Sequence, residues 1–331
     1  MVGLGFPTKQ VDCYTSVVDY DTILAQHIGY YLNFYRKNKL RRFSTWYIYF
    51  RKSTHQSNYS YFIWFPIQSQ IKIANILLPN QQVRSILGAL VFYTIIPLPQ
   101  NWQLEFTRIA RWSPLIGLFI GSVLGLSDLG LASLSVPLLT RSALVVGFWL
   151  FLTGGLHLDG AIDTADGLAV LEPQRRLQVM SDSVTGAFGV MAAIIILLLK
   201  TSALYDLSLS IYRFPFLILA AGWGRWAQVR AIAHYPYLKE TGKGAFHKQA
   251  MHLPQDMLLG FTFLLGLSGL WLWLDLTKWW LPLTGTIVGS LSAICVGAWF
   301  NHQLGGHTGD TYGATVEWTE TIILCLLTIF T

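Results

Sequence analysis

The sequence has little charge and little cysteine, and each shortage argues against a class of protein. Only 12% of its 331 residues are Asp, Glu, Lys or Arg, whereas a soluble domain averages about 25%. Its three cysteines, Cys13, Cys295 and Cys325, are not spaced as C-x-x-C, which argues against a disulfide framework or a zinc site. The first twenty residues lack the apolar stretch of a secretory leader, so we expect no cleavable signal peptide.

Apolar residues make up most of the sequence. Hydrophobic residues make up 53% of the chain, with 19 Phe and 13 Trp among them. A lipid bilayer is therefore the expected solvent of this protein. The net charge of +6 does not predict a nucleic-acid partner, because Lys and Arg of membrane proteins lie in cytoplasmic loops and against anionic headgroups.

Composition divides the chain near residue 80. Residues 1–80 mix Tyr, Lys, Arg, Ser and Asn with aromatic runs that are too short to cross about 30 Å of hydrocarbon. We interpret them as an atypical N-terminal extension that is poorly ordered or interfacial, with a dedicated regulatory domain as the alternative. Residues 81–331 are predicted to form the membrane-embedded domain.

Long apolar runs in this second part predict an all-α fold, a polytopic helical bundle integral to the membrane. A short run at 85–97 stops at Pro97 and predicts an interfacial or re-entrant helix. About seven spanning helices are expected after it. Their predicted ranges are 112–131, 142–157, 188–206, 214–232, 256–276, 280–300 and 311–330. The second range is barely long enough to span, so we expect it to end inside protein.

Basic residues set the expected orientation. If the residues before the first span lie in the cytoplasm, seven Lys and Arg fall in cytoplasmic segments and four on the opposite side and its flanks. This excess has the sign of the positive-inside rule. The same orientation puts the polar loops at 158–187, 233–255 and 301–310 on one side of the membrane. These loops are therefore predicted to face the cytoplasm.

A stripe of glycine marks one face of the first predicted span. Gly117, Gly121 and Gly125 recur every four residues. Small residues at this spacing let helices approach closely in lipid. We predict a packing seam here, without a catalytic role.

The strongest signal for chemistry is a run of aspartates after the second predicted span. Asp159, Asp163 and Asp166 stand at i, i+4 and i+7, and on a helix they fall within roughly 60° of one another. Their neighbours are apolar, so the three charges would repel each other and resist desolvation unless a cation joined them. Mg²⁺ suits all-oxygen ligands, so we predict a metal site. A solvated acidic helix end is the alternative.

A second polar cluster opens the last predicted span. Asp310 and Glu317 are seven residues apart, hence on one face of a helix. Gly306, Gly309 and Gly313 leave room for a backbone or a ligand to approach. Acids at the mouth of a spanning helix indicate a functional site, and a polar turn with a helix cap is the alternative.

Basic and histidine side chains supply further candidates. Arg225 lies inside a predicted span and needs an anionic partner, either a protein carboxylate or a substrate phosphate. Lys243, which stands between two glycines, is a phosphate-loop candidate or a solvated lysine, but its segment is not a Walker A loop. His157 and His307 could each be a general base, a ligand or a hydrogen-bonded structural histidine.

Several segments together resemble the cobalamin synthase family, also called adenosylcobinamide-GDP ribazoletransferase. They are 92–97 (FYTIIP), 155–160 (GLHLDG), 163–168 (DTADGL), 182–183 with 186–189, 224–226, and 306–313 with Glu317 and Glu320. The aspartate motif is quite specific, and the resemblance runs from about residue 81 to the C-terminus. Residues 1–80 have no counterpart in it.

The resemblance implies an enzyme of the cytoplasmic (inner) membrane that completes the lower ligand of cobalamin. α-Ribazole, or its 5′-phosphate, is joined to adenosylcobinamide-GDP, GMP leaves, and Mg²⁺ is required. Such an enzyme is a transferase of phosphorus-containing groups, multi-pass, with its active site facing the cytoplasm. Association with other enzymes of cobalamin biosynthesis is a further expectation.

The family's reaction gives the candidate residues expected roles, because transfer at phosphorus needs charge neutralisation and positioning more than covalent catalysis. The expected catalytic residues are His157, which would take the hydroxyl proton, and Asp159, Asp163 and Asp166. The expected metal ligands are Asp159, Asp163, Asp166, Asp310 and Glu317. The residues expected to bind substrate are Arg176, Asp182, Arg225, Lys243 and His307.

Two other classes of protein fit part of the pattern. The segment 163–167 (DTADG) matches the start of the CDP-alcohol phosphotransferase motif, but the Ala-Arg and the later aspartates of that motif are missing. An ion or solute transporter also carries acids on its helices, near the bilayer midplane and often where helices break. The acids here cluster at one end of the predicted spans, which favours catalysis at the membrane surface.

Overall fold

The computed structural model describes residues 80–99, 102–182, 184–207, 212–239 and 244–330. All of them belong to one unit of the chain, Ala74–Thr331. Residues 1–79 of the predicted extension and the predicted phosphate contact Lys243 lie outside the described residues, and the predictions made for them are untested.

The predicted all-α fold is confirmed, since the described ranges form helices and contain no β-strand. Within these ranges, an isolated β-bridge joins Tyr237 to His307. The helices are α1 (Gln81–Tyr93), α2 (Ser113–Ser133), α3 (Leu138–Leu152), α4 (Leu156–Ala169), α5 (Pro173–Val179), α6 (Ala187–Asp206), α7 (Arg213–His234), α8 (Ala245–Ala250), α9 (Gln255–Leu274), α10 (Trp280–Leu304) and α11 (Gly309–Leu327). Short 3-10 turns precede α2 at Ile109–Trp112 and follow α11 at Thr328–Phe330.

Five described helical segments are long and apolar enough to cross a membrane, and a sixth span is formed if the bent pair α3–α4 is counted as one. The five segments are Ile109–Ser133, Ala187–Asp206, Gln255–Leu274, Trp280–Leu304 and Gly309–Phe330. They coincide with five of the seven predicted spans. The short helix predicted at 85–97 is α1, which ends at Tyr93.

The span predicted at 142–157 is broken. Helix α3 ends at Leu152, α4 begins at Leu156, and the two axes differ by 91°. Gly154 and Gly155 occupy the corner with φ of +60° and +69°, a left-handed conformation that glycine adopts without steric cost. The chain therefore bends directly before the aspartate motif, and α4 packs along α6 and α11.

The span predicted at 214–232 forms α7, but most of this helix is enclosed by protein. Its 22 residues give a length of about 33 Å, and nearly all of them from Phe216 to Ala233 are buried. Helices α2, α9, α10 and α11 pack around it. Because Arg225 and other polar groups lower its apolar content, α7 is not among the helices that qualify as spans by composition.

The predicted glycine seam is confirmed as a packing feature between α2 and α7. A Cβ atom on Gly117 would collide with the Ala221 carbonyl oxygen, and one on Gly121 would collide with the Ile218 backbone. The backbones of the two helices therefore approach each other more closely than any larger residue allows. This contact fixes α7 in the centre of the fold.

Candidate active site

The two acidic motifs meet where α4 crosses α11. A Cβ atom placed on Gly160 would lie 2.5 Å from the Asp310 carbonyl oxygen, and one on Gly313 would lie 3.0 Å from the His157 carbonyl oxygen. Glycine on each helix thus lets the two backbones touch. The contact brings the part of α4 that carries Asp159 against the first turn of α11, and Asp163 follows one helical turn later on α4.

The acids at the crossing remain accessible. Asp159 is exposed, while Asp163 and Asp310 are half-buried. The Asp310 carboxylate accepts hydrogen bonds from Lys239 Nζ at 3.0 Å and from the Thr308 hydroxyl at 3.2 Å. Thr308 also caps α11 by accepting from the Thr311 backbone N–H at 3.2 Å. The cap and the lysine hold Asp310 at the mouth of the helix.

Asp166 has a different environment from the other two aspartates of its motif. It is 9% exposed, and its two carboxylate oxygens accept backbone N–H groups of Gly186 and Gly189, each at 2.7 Å. A side chain at either glycine would overlap this carboxylate. Asp166 therefore anchors the first turn of α6 to α4, and its predicted metal contact is untested.

The Glu317 side chain points into the interior of the bundle, away from Asp310, which lies at the N-terminal end of α11. Lys200 Nζ donates to Glu317 and to Glu320, at 2.6 Å in each case, and Arg225 Nη1 donates to Glu320. All four side chains are 3% exposed or less. Two cations and two anions balance each other, which is the condition for keeping charge away from water. The predicted metal contact of Glu317 is untested, but its carboxylate already has a cationic partner.

Arg225 has the structural partner that sequence reasoning offered as one of two options. Its side chain is fully buried, and Nη1 binds both Glu320 and the Ala221 carbonyl oxygen. Its Nε and Nη2 atoms have no hydrogen-bond partner among the described residues. A contact with substrate phosphate remains a prediction.

His157 lies in the first turn of α4, where its backbone contacts Gly313 of α11. The ring is 2% exposed and stacks on Tyr93, with ring centroids 6.2 Å apart. Neither ring nitrogen has a hydrogen-bond partner among the described residues. The predicted role of His157 as a general base is untested.

His307 is built into the fold of the loop before α11. Its ring nitrogens lie 3.1 Å from the Gly297 carbonyl oxygen and 3.1 Å from the Thr311 hydroxyl. Its backbone pairs with Pro236 and Leu238, at 2.8 Å for each hydrogen bond. Burial lowers the pKa of His307 to about 4. His307 therefore holds the segment that carries Lys239 in place. The predicted contact of His307 with substrate is untested.

Arg176 and Asp182 follow the motif at the same end of the bundle. Arg176 donates to the carbonyl oxygens of Val170 and Gln303, at 3.0 Å for each, and so ties the loop after α4 to the end of α10. Asp182 is exposed and accepts from the Val184 backbone N–H at 3.3 Å. Their predicted substrate contacts are untested.

A magnesium ion fits only part of the predicted ligand set. Among the residues that the structure describes, no three His, Cys, Asp or Glu side chains are grouped closely enough to hold a metal ion by themselves. Mg²⁺ does not require such a group, because it usually takes one or two carboxylates and completes its shell with waters and phosphate oxygens. Asp159 and Asp163, one helical turn apart, have the donor chemistry for this, and Asp310 lies on the facing helix.

Sequence reasoning gave no site role to three side chains that the structure pairs with candidate site residues: Lys239, Lys200 and Glu320. Lys239 lies in a polar loop and carried no signal of its own. Lys200 interrupts a long apolar run, and an ionisable residue at such a place calls for a partner within the membrane. That signal was available, but the partner on α11 could not be named without the fold.

Comparison with known proteins agrees with the resemblance inferred from the motifs. Residues 85–328 match the family model described as cobalamin-5-phosphate synthase. The chain is 58% identical over 247 residues to an adenosylcobinamide-GDP ribazoletransferase of Trichormus variabilis, which covers 75% of this chain and 97% of that protein. It is 51% identical over 246 residues to one of Synechocystis sp., covering 74% of this chain and 94% of that protein. No solved structure gives a significant match.

The matched region begins just after the predicted N-terminal extension and includes every candidate site residue named above. The family resemblance is therefore confirmed over the membrane-embedded part of the chain. The chain belongs to the cobalamin-5-phosphate synthase family.

Proposed function

We propose that this protein joins α-ribazole, or its 5′-phosphate, to adenosylcobinamide-GDP with release of GMP. Relatives that cover about three quarters of the chain are named adenosylcobinamide-GDP ribazoletransferase. The structural observation that supports the proposal is the contact of α4 and α11 at Gly160, which puts the helix that carries Asp159 and Asp163 against the backbone of Asp310. Accessible carboxylates at a helix crossing suit a reaction on a diphosphate.

The reaction exchanges one P–O bond for another. A ribazole hydroxyl attacks the phosphorus on the cobinamide side of the phosphoanhydride, the new P–O bond forms, and the bond to GMP breaks. The hydroxyl proton leaves the nucleophile. The proposed acceptor is His157 at the start of α4, whose ring is 2% exposed and has to become accessible to the ribazole hydroxyl when the substrates bind.

Negative charge on the diphosphate is the main electrostatic problem of this step. Asp159 and Asp163 are the proposed holders of Mg²⁺, which when bound neutralises charge on phosphate oxygens. Lys239, paired with Asp310 at 3.0 Å, is 28% exposed and is a cation of the protein itself at the same place. An ammonium group there favours binding of a phosphate oxygen.

The proposed orientation places this site at the cytoplasmic face of the inner membrane. The bundle end that carries the crossing also carries the polar loops with Arg175, Arg176, Lys239 and Lys248, in the sense of the positive-inside rule. Association with other enzymes of cobalamin biosynthesis belongs to the same proposal, since both substrates must reach this face. Reporter fusions after Leu134 and after Arg176 should report opposite sides of the membrane.

The test of the activity is GMP release by membranes that contain the protein. Adenosylcobinamide-GDP and α-ribazole are supplied together and singly, with and without Mg²⁺. We expect release only with both substrates and the metal. Asp163→Asn should abolish it, while Asp275→Asn, at the opposite end of the bundle, should leave it unchanged.

The possible results of this assay test the transferase activity and the role of the metal separately. No release from a folded, membrane-inserted protein would contradict the transferase activity. Release without added Mg²⁺ and in the presence of a chelator would contradict the metal but not the transfer. Full activity of Asp163→Asn would contradict the role assigned to that carboxylate.

A further inference from the structure

A cluster of charged side chains lies at the end of the bundle opposite the candidate active site. Arg213 Nη2 is 2.8 Å and Arg141 Nε is 3.1 Å from the same oxygen of Asp128. The Arg213 guanidinium also donates to the Leu204 carbonyl oxygen and, at 3.2 Å, to the Ser142 hydroxyl. The cluster therefore ties the ends of α2, α3, α6 and α7 together.

This cluster is not electrically balanced. Among the described residues, two guanidinium groups share one carboxylate, so one positive charge of the cluster is in excess. Asp128 and Arg213 are almost fully buried, with side-chain exposures of 6% and 4%, whereas Arg141 is 15% exposed. The excess charge thus belongs to the guanidinium that reaches the surface, and it calls for an anion from outside the protein.

An apolar groove between α2 and α3 begins one helical turn from Arg141. The groove is shallow and open to its surroundings, with a volume of about 570 Å³. Its apolar lining includes Leu131 and Leu134 of the α2 end and Leu144, Val145 and Phe148 of α3. Leu134 is 75% exposed and Leu144 is 49% exposed, so described protein leaves this surface largely uncovered.

The cluster lies at the depth where lipid headgroups are expected. At the same end of the bundle, Trp273 and Trp279 are 76% and 56% exposed, and Lys278 stands beside Trp280. Exposed Trp with a neighbouring Lys marks the boundary between hydrocarbon and headgroups. A basic side chain at this level can extend its charge toward a lipid phosphate.

We propose that the groove between α2 and α3 binds an anionic phospholipid, with an acyl chain along the groove and the phosphate against Arg141. The apolar lining and the excess guanidinium lie one turn apart on the same helix, as the two parts of such a lipid require. The lipid would complete the charge balance of Asp128, Arg141 and Arg213. This site is separate from the reaction and does not depend on it.

The test uses the full chain, stripped of lipid in detergent and then offered phosphatidylglycerol or phosphatidylcholine with matched acyl chains. Native mass spectrometry counts the lipid retained. We expect phosphatidylglycerol to be retained about five-fold more strongly, the effect of one basic residue on an anionic lipid. Equal retention of the two lipids would overturn the proposal.

Two variants address the two halves of the site. Arg141→Gln leaves the Asp128–Arg213 pair balanced, so it should fold and lose the preference for phosphatidylglycerol. Gly130→Phe builds a side chain into the groove, where a Cβ meets nothing within 4 Å, and should lower the retention of both lipids. Lys278→Gln, a change to a basic residue of the same end outside the cluster, should lower the preference for phosphatidylglycerol less than Arg141→Gln does.

A preference that survives in Arg141→Gln would overturn the role of the cluster. Retention that is unchanged in Gly130→Phe would overturn the role of the groove. Thermal unfolding of each variant in detergent, measured beside the unaltered protein, shows whether a loss of lipid accompanies a loss of fold.

Discussion

Gly160 of α4 and Asp310 of α11 touch backbone to backbone, so closely that a Cβ on Gly160 would lie 2.5 Å from the Asp310 carbonyl oxygen. No residue other than glycine fits at this contact without moving one of the helices. The distance between the two acidic motifs therefore depends on glycine at position 160, which has no side chain. Any change in that separation moves Asp159 and Asp163 relative to Asp310.

Gly160→Ala should lower transferase activity by about 100-fold, the effect that a displacement near 1 Å has on a positioned reaction. The protein should still insert into the membrane, because the change is one methyl group. GMP release and the Mg²⁺ concentration for half-maximal activity are the measurements. Gly147→Ala, where a Cβ meets nothing within 4 Å, is the matched control, and equal activities of the two variants would contradict the prediction.

Asp166→Asn should act on stability more than on metal use. An amide has one acceptor oxygen, so only one of the N–H groups of Gly186 and Gly189 keeps its partner, and a charge-assisted hydrogen bond is worth about 1.5–3 kcal/mol. The unfolding temperature should fall while the Mg²⁺ requirement of the remaining activity is unchanged. Asp163→Asn supplies the comparison, and a larger increase in Mg²⁺ requirement for Asp166→Asn than for Asp163→Asn would show Asp166 to be the ligand.

Lys200→Met should destabilise the bundle by about 3–5 kcal/mol, because it leaves the buried Glu317 carboxylate without its cation, while Glu320 keeps Arg225. The second change Glu317→Gln should recover part of this loss, since it removes one of the charges left over. Unfolding of the single and double variants in the same detergent measures the recovery. If the double variant is no more stable than Lys200→Met, the ion network does not have the arrangement described.

Stability should decrease in mild acid because of His307. Its pKa is about 4 in the folded protein, where burial disfavours the cation, and near 6.5 when unfolded. Between pH 6.5 and 4 the unfolded chain binds a proton that the folded protein does not, so the contribution is fully present above pH 6.5 and is lost as the pH falls toward 4. The size of the effect is about 3 kcal/mol.

The measurement is the free energy of unfolding across that pH window. His307→Gln should flatten the slope, and the remaining slope should come partly from His247, whose pKa burial lowers to about 3. His302→Gln, an exposed ring at the end of α10, should leave the slope as it was. An unchanged slope in His307→Gln would argue against a neutral, buried ring at this position.

Apolar runs predicted the helices well because lipid imposes one simple requirement on a spanning segment. The same reasoning placed a straight span at 142–157, although Gly154 and Gly155 mark a corner there. A pair of glycines permits a left-handed turn but does not require one. The turn is used because it lets α4 pack along α11.

Burial of polar groups was harder to predict from sequence than helix formation. Arg225 and Lys200 were visible as charges within apolar runs, but their shared partner Glu320 is distant in sequence. The aspartates Asp159, Asp163 and Asp166 look equivalent by spacing, yet Asp166 caps a neighbouring helix. That difference arises because α6 begins beside Asp166, and the spacing of the aspartates does not predict where α6 begins.

The ion network of Lys200 has a consequence for the order in which this protein is assembled. Lys200 enters the membrane with α6, while both of its carboxylate partners are on α11, more than 110 residues later in the chain. Until α11 arrives, the lysine has to remain near a headgroup, in water or against a temporary partner. The bundle can therefore close around α7 only after α11 is inserted, and a cell that stops synthesis before Glu317 should leave α6 as a recognisable target for membrane quality control.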